Sequence, residues 1–165
     1  MEAATAPERC SGMIVDQSLG TFTTAIASRE PAPGAGAAAA AGLALGIACA
    51  RKAAAITLKH HEHCPEVERA ETRLAELDKA ALAAGDRDAS AFKALLQHEP
   101  GSARELLNHG QAFLALITEA QALVAGLGDR IDASMCGDIV AAEALILAAD
   151  TIARHNLAEN QEVGS

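Results

Sequence analysis

Aromatic residues are almost missing from this sequence: three Phe, no Tyr and no Trp in 165 positions. A core of large rings is therefore excluded, and a core of Ala and Leu buries less area per residue. Part of the stability is expected from a partner, most simply a second copy of the chain. Positive charge is also scarce, with 13 Lys and Arg against 22 Asp and Glu and a formal net charge of −9. That balance argues against nucleic acid, which needs a basic face, and against an anionic membrane surface. Cysteine is limited to Cys10, Cys49, Cys64 and Cys136, widely spaced and without a CxxC pair. The first residues lack the basic start and apolar core of a secretory signal. Free thiols in a reducing, cytoplasmic setting are the expectation. No strand pattern is visible, because nothing alternates over more than a few residues, and no internal repeat stands out.

Alanine is what the sequence has instead. It carries the highest helix propensity and little strand preference. The length suits one domain over 1–165, with residues 1–14 as a flexible lead. The expected architecture is all-α: a bundle of about five helices around a buried Ala/Gly-rich central helix, assembled as a dimer.

The first helix begins near Asp16 or Ser18, either of which can cap it. Leu19, Phe22, Ala25 and Ile26 form its apolar face, and Pro31 to Gly34 break the chain. The second helix runs from about Gly36 to Lys59 and is apolar nearly all round, as a helix buried on several sides would be. Its uncharged stretch, Ala32 to Ala50, holds Gly42 and Gly46 as a GxxxG. A membrane dimer fits that motif. A buried bundle helix fits better, because Ala and Gly are weakly hydrophobic and apolar turns continue past Arg51 and Lys52.

Pro65 opens a third helix. Its seam reads Val67, Ala70, Leu74, Leu77, Ala81, Ala84, Ala91 and Leu95, with Asp88 where an apolar residue is due and Gly85 one turn earlier as a loosening point. Glu99-Pro100-Gly101 breaks it, and Ser102 is a candidate cap for a fourth helix with Leu106, Leu107, Phe113, Leu116, Ile117 and Leu123. A last helix runs from about Asp138 to Asn160 with Leu145, Ala149 and Ile152 inward.

Four groups of residues carry possible chemistry. Asp88 on an apolar seam pays desolvation, so it suits a general base or a counter-charge for a cation, unless the seam opens to solvent there. Asp138 and Asn156 are 18 residues apart, about five turns at ~3.6 residues per turn, and Asn160 lies one turn on. One long ligand, two sites, or helix caps would each explain that face. Lys59, His60, His61 and His63 form the one dense cationic cluster. It reads as a solvated helix end, as a binder of an anionic tail, or as a metal site with Cys64; the metal is the weakest reading, since no i, i+4 His pair exists. The Pro31–Gly36 loop leaves free N–H groups before a helix, which suits an anion or a ring carbonyl, or only a tight turn.

Five pieces in order carry a family resemblance over residues 17 to 160. Pro31-Ala32-Pro33-Gly34-Ala35-Gly36-Ala37 resembles the Pro-x-Pro-Gly-Gly-Gly-Ser opening of the cyclodeaminase/cyclohydrolase family. Ala55-Ile56-Thr57 resembles the segment before its Gly-Lys-Lys run. Asp88-Ala89-Ser90-Ala91-Phe92 resembles its Asp-Ala-x-Ala-Phe. Gly137-Asp138 resembles its Ser-Asp helix start, and Asn156 and Asn160 stand at the spacing of its Asn-Val-x-x-Asn ending.

The resemblance implies an all-α homodimer or larger, acting on a tetrahydrofolate one-carbon group. It implies either hydrolysis of 5,10-methenyltetrahydrofolate or deamination of formiminotetrahydrofolate, with hydrolysis slightly favoured because no formiminotransferase domain is attached. Asp88 and Asp138 are then the catalytic candidates. Pro33, Gly34, Gly36, Lys59, His60, His61, Asn156 and Asn160 are the substrate-binding candidates, with Asn156 on the pterin and the Lys–His cluster on the glutamate tail. No metal is expected. The departures are Ala37 for the family's serine, Lys59-His60-His61 for its lysines, Gly137 for a serine, and a fourth-helix region short by several turns. They motivate the alternative of a non-catalytic descendant that binds a ligand or assembles.

Overall fold

Local preference sets the helices and a few special residues set their ends. A computed structural model describes residue 13 and residues 16–61 and 63–163; the expected lead over 1–14 lies outside these, Met13 apart. The elements are α1 (Leu19–Ile26), α2 (Ala35–His60), α3 (Pro65–Leu96), α4 (Ser102–Leu127) and α5 (Cys136–Val163). Two short 3-10 turns, Gly128–Arg130 and Ala133–Met135, join α4 to α5. Among the described residues there is no strand. The all-α fold of five helices is therefore what the chain adopts.

Ser18 wins the choice of first cap: its Oγ accepts the Thr21 N–H at 3.1 Å. Pro65 occupies the first turn of α3, with Glu66 and Glu68 beside it, where acidic groups meet the positive end of the helix. The cap of α4 is not Ser102 but Gly101, whose φ of +84° is open to glycine at little cost. Ser102 is instead the first helical residue and is buried.

Successive long helices are joined by short connections and pack as neighbours, α2 on α3, α3 on α4, α4 on α5 and α5 back on α2. The result is an antiparallel ring of four, with α2 and α4 on a diagonal. Leu43, Ile47, Leu74, Leu77, Ile117, Val124, Leu127 and Ile146 fill the middle. Each such side chain is worth about 1.5–3 kcal/mol when fully buried. Gly46 lets α5 come close: a Cβ there would stand 2.9 Å from Ile146 Cγ1 and 3.1 Å from the Ala142 carbonyl oxygen. One of the two glycines of the GxxxG thus serves packing inside the bundle, while Gly42 has nothing within 4 Å. Two stretches, α2 and Ser102–Arg130, are long and apolar enough to cross a membrane by length and composition, and α2 places half of that surface against its neighbours.

Several register expectations shift by one residue. The buried positions of α5 are Ala142, Ile146, Ala149 and Ala153; Ala149 is as expected, while Leu145 and Ile152 are half-buried, Ile152 packing against the core. On α3 it is Gly85, not Ala84, that is buried, and the helix runs through it unbroken. Leu19 is 70 % exposed, so α1 is held by Phe22. α2 is not enclosed on all sides either, because Leu45 faces outward. Ion pairs tie the outer edges: Arg51 bridges to Glu71 at 3.2 Å and Asp78 at 3.1 Å on α3, and Arg73 on α3 reaches Glu119 on α4 at 2.9 Å.

Candidate active site

The N-terminal end of α2 is where the polar residues of the seam converge. Gly34 precedes the helix and supplies no side-chain cap, so the first-turn N–H groups have no intrahelical acceptor. Asp88 approaches this turn from α3. A Cβ on Gly36 would lie 2.1 Å from Asp88 Oδ2 and 2.5 Å from Cγ, so the carboxylate rests against bare backbone. Only glycine permits that approach.

Asp88 is half-buried, and among the described residues no hydrogen-bond donor reaches its carboxylate. Burial pushes its pKa up from the usual carboxylate value, and the nearby charge of His109 works in the opposite direction. Asn156 and Asn160 come in from α5, one turn apart on the same face. The residues surround a small enclosed chamber of about 20 Å³, closed on its other sides by Ala40, Ala84, Gly110, Phe113, Ala153 and Leu157. That space suits about one water molecule. It adjoins an outer cleft of about 170 Å³ that shares Gly36, Asp88, Asn156 and Asn160, and adds Pro31, Gly34, Phe92 and Glu159. Pro33 stands beside this cleft, joined to Ala32 by a cis peptide bond.

The structure thus brings together Gly34, Gly36, Asp88, Asn156 and Asn160, which the sequence singled out as separate features, with Pro33 next to them. Sequence reasoning missed His109. The available signal was the polar break Asn108-His109-Gly110 between Leu107 and Phe113, which passes for an ordinary solvent face of α4. Gly110 lets α4 and α5 meet there, since a Cβ would stand 3.0 Å from Leu157 Cδ1.

The remaining candidates occupy the other end of the bundle. Gly36 and His60 are 24 residues apart on one helix, roughly 36 Å at ~1.5 Å per residue. Asp138 does not cap α5; it lies within the first turn, where its Oδ1 accepts from Lys52 Nζ at 3.0 Å. His60 Nδ1 meets Asp132 Oδ2 at 2.8 Å, with His61 Nε2 at 3.8 Å from the same oxygen. Asp132 Oδ1 accepts from the Ser134 N–H at 2.9 Å and hydroxyl at 2.7 Å. The His60 contact, then those from Ser134, hold the Asp132 carboxyl well below the usual range. Thr57, fully buried, accepts the Asp132 N–H at 2.9 Å and donates to the Ala53 carbonyl at 2.9 Å. These groups clasp the α4–α5 connection to the end of α2. The basin beside them is larger, about 700 Å³, but wide open, and its central carboxylate already has partners. Size favours the basin, whereas unmet polarity favours the Asp88 cleft, and unmet polarity is the better mark of a site. No group of three or more His, Cys, Asp or Glu among the described residues could hold a metal ion.

The sequence model of a family described as formiminotransferase-cyclodeaminase matches residues 18–105, just over half of the chain. The chain belongs to that family. The matched stretch carries the Pro-Gly loop, Gly36 and Asp88, and it stops before His109. The fold agrees. The crystal structure of formiminotetrahydrofolate cyclodeaminase from Thermotoga maritima superposes with a TM-score of 0.85 at 20 % identity, over 90 % of this chain and 80 % of the other. No curated protein matches the sequence. Within the family frame, Ala37 occupies the position of the expected serine; it is fully buried and lines neither chamber nor cleft.

Proposed function

We propose that the chain is a folate one-carbon enzyme that closes formiminotetrahydrofolate to the methenyl form with release of ammonia, using the cleft between α2, α3 and α5. The observation that carries this reading is Asp88: a half-buried carboxylate without a hydrogen-bond donor, raised in pKa by burial, at the wall of an open cleft. A bound cation would offset that cost. Both the protonated formimino group and the methenyl product are cations with their charge on one carbon–nitrogen unit, and a fixed carboxylate stabilises such charge where it develops. Asn156 and Asn160 offer amide donors and acceptors to the pterin edge. The Pro33–Gly36 turn offers free N–H groups. Membership of the formiminotransferase-cyclodeaminase family supports the substrate class. Hydrolysis of the methenyl compound is the related reaction, since water adds to the same cationic carbon.

In this reading Asp138 belongs to Lys52, and His60 and His61 to Asp132. A tetrahydrofolate with one glutamate does not span from Asp88 to Lys59. No metal takes part. The chain works in the cytoplasm, in keeping with the free thiols of Cys49, Cys64 and Cys136. It acts as a homodimer, in keeping with outward-facing Leu45 on α2 and Val140 and Leu147 on α5. A second reading, a descendant that binds without catalysing, is favoured by the small volume of the inner chamber.

The test is to follow methenyl absorbance with formiminotetrahydrofolate and, separately, with the methenyl compound, for the wild type and Asp88→Asn. The expected result is turnover of the first substrate that falls about 10²–10³-fold in the variant. Turnover of the methenyl compound alone would make the chain a hydrolase. Binding by calorimetry without turnover of either would establish the binding descendant. Neither binding nor turnover would end the folate reading.

A further inference from the structure

The charge-stabilising role given to Asp88 leaves the proton transfers of the reaction without a carrier. A carboxylate kept ionised to face a cation cannot also hand over protons, so a second titratable group is required. One side chain meets the requirement by position. His109 projects from α4 into the same chamber as Asp88, Asn156 and Asn160. Its side chain is 28 % exposed, and Nε2 lies 3.5 Å from Glu105 Oε1, one turn earlier on α4. The close approach of α4 to α5 at Gly110 and Leu157 brings the ring to the chamber wall.

Resting on the reading above, we propose that His109 is the proton carrier of the site, working opposite the Asp88 counter-charge. The cycle balances without any other reagent. The neighbouring folate nitrogen attacks the carbon of the protonated formimino group, forming the new carbon–nitrogen bond, and the carbon–nitrogen π pair moves onto the outer nitrogen. Neutral His109 takes the proton from the attacking nitrogen. The imidazolium returns that proton to the outer nitrogen, the bond from carbon to that nitrogen breaks, and ammonia leaves. A ring-nitrogen lone pair restores the carbon–nitrogen double bond. One positive charge enters on the substrate and one leaves on the product. Asp88 faces that charge throughout.

The charged surroundings of His109 are few. Asp88 faces it from α3 and Glu105 from its own helix. Asn156 and Asn160 of α5 are uncharged, with Glu159 at the outer cleft, and α2 presents only glycine and alanine. Histidine changes charge between about pH 5 and 8, where a proton carrier works best.

The experiment measures kcat and KM against pH for the full chain, as wild type, His109→Gln and His109→Ala, with calorimetric binding of 5-formyltetrahydrofolate and a thermal melt for each. The expected result is a pH-dependent limb in the wild-type profile that His109→Gln lacks. His109→Gln should lose a hundredfold or more in kcat, within the range for general acid–base groups, with binding and melting temperature near wild type. Added imidazole should restore turnover to His109→Ala. Wild-type turnover with an unchanged His109→Gln profile overturns the proposal and leaves the folate reading intact. A fall in kcat with the limb retained and no imidazole rescue gives His109 a structural role and also overturns it. A wild type that neither binds nor turns over folate removes both.

Discussion

The two ends of α2 carry similar raw materials and arrive at opposite states. At the C-terminal end, the Asp132 carboxylate meets His60 and accepts from Ser134, and its own N–H donates to the hydroxyl oxygen of the buried Thr57. Its acidity is strengthened and its bonding capacity is used. At the N-terminal end, Asp88 is pressed against Gly36 with no donor to meet it, and its acidity is weakened. A satisfied carboxylate holds a fold together; an unsatisfied one costs stability and is kept where a ligand can meet it. The difference is that His60 and His61, from the densest polar cluster in the sequence, meet Asp132, while the lone acid on an apolar seam meets no donor among the described residues.

That contrast can be broken by substitution. The largest effect is expected from Asp88→Asn, which should lose turnover a hundredfold or more yet gain stability at neutral pH. The sign follows from linkage. A carboxyl whose folded pKa is raised holds its proton longer in the folded state, so stability falls as pH climbs from the ordinary carboxylate value through the raised one. The advantage of Asp88→Asn in thermal melts should therefore shrink as pH falls from the raised value toward the ordinary one, and be gone below it. An equal gap at all pH would show that the carboxylate is not the cause.

Next comes Gly36→Ala. Its new methyl would meet Asp88, an overpacking worth about 1–3 kcal/mol, and should displace the carboxylate and lower turnover at least tenfold. Combined with Asp88→Ala, it should recover stability, and a double-mutant cycle in denaturant reads the coupling. Additive losses would mean that Gly36 matters for another reason.

Thr57→Val tests the other end. It leaves the Asp132 N–H without its acceptor, at about 1–2 kcal/mol, and should leave turnover per folded molecule as it was. The smallest effect is expected from Asp138→Asn. It removes one exposed ion pair with Lys52, about 1 kcal/mol or less, and turnover should stay within about twofold. A hundredfold loss there would return Asp138 to the chemistry.

Much of this architecture was legible locally. Pro65 and the Val67–Leu77 spacing fix α3, the alanine run fixes α2, and the Pro31–Gly34 and Pro100–Gly101 breaks separate them. Register was less legible: Ile146 and Ala153 are buried on α5, with the expected Leu145 and Ile152 only half-buried beside them. Alanine-rich helices have apolar residues on nearly every face, so hydrophobicity alone does not select one. At the site, Asp88 announced itself as a charge out of pattern, and Asn156 and Asn160 by their spacing. His109 did not, because a histidine one turn after Glu105 is what any solvent-facing turn can contain.

The sequence by itself determined that this chain is helical, where its helices start and stop, and that Asp88 interrupts a seam, because propensity and periodicity act within a few turns. Only the tertiary structure decided that Gly36, Asp88, His109 and Asn156 surround one chamber while Asp138 and His60 stand at the far end. Those meetings join four separate helices, and they depend on which of several similar alanine faces turns inward, a choice made by close packing at Gly46 and Gly110 rather than by any local signal.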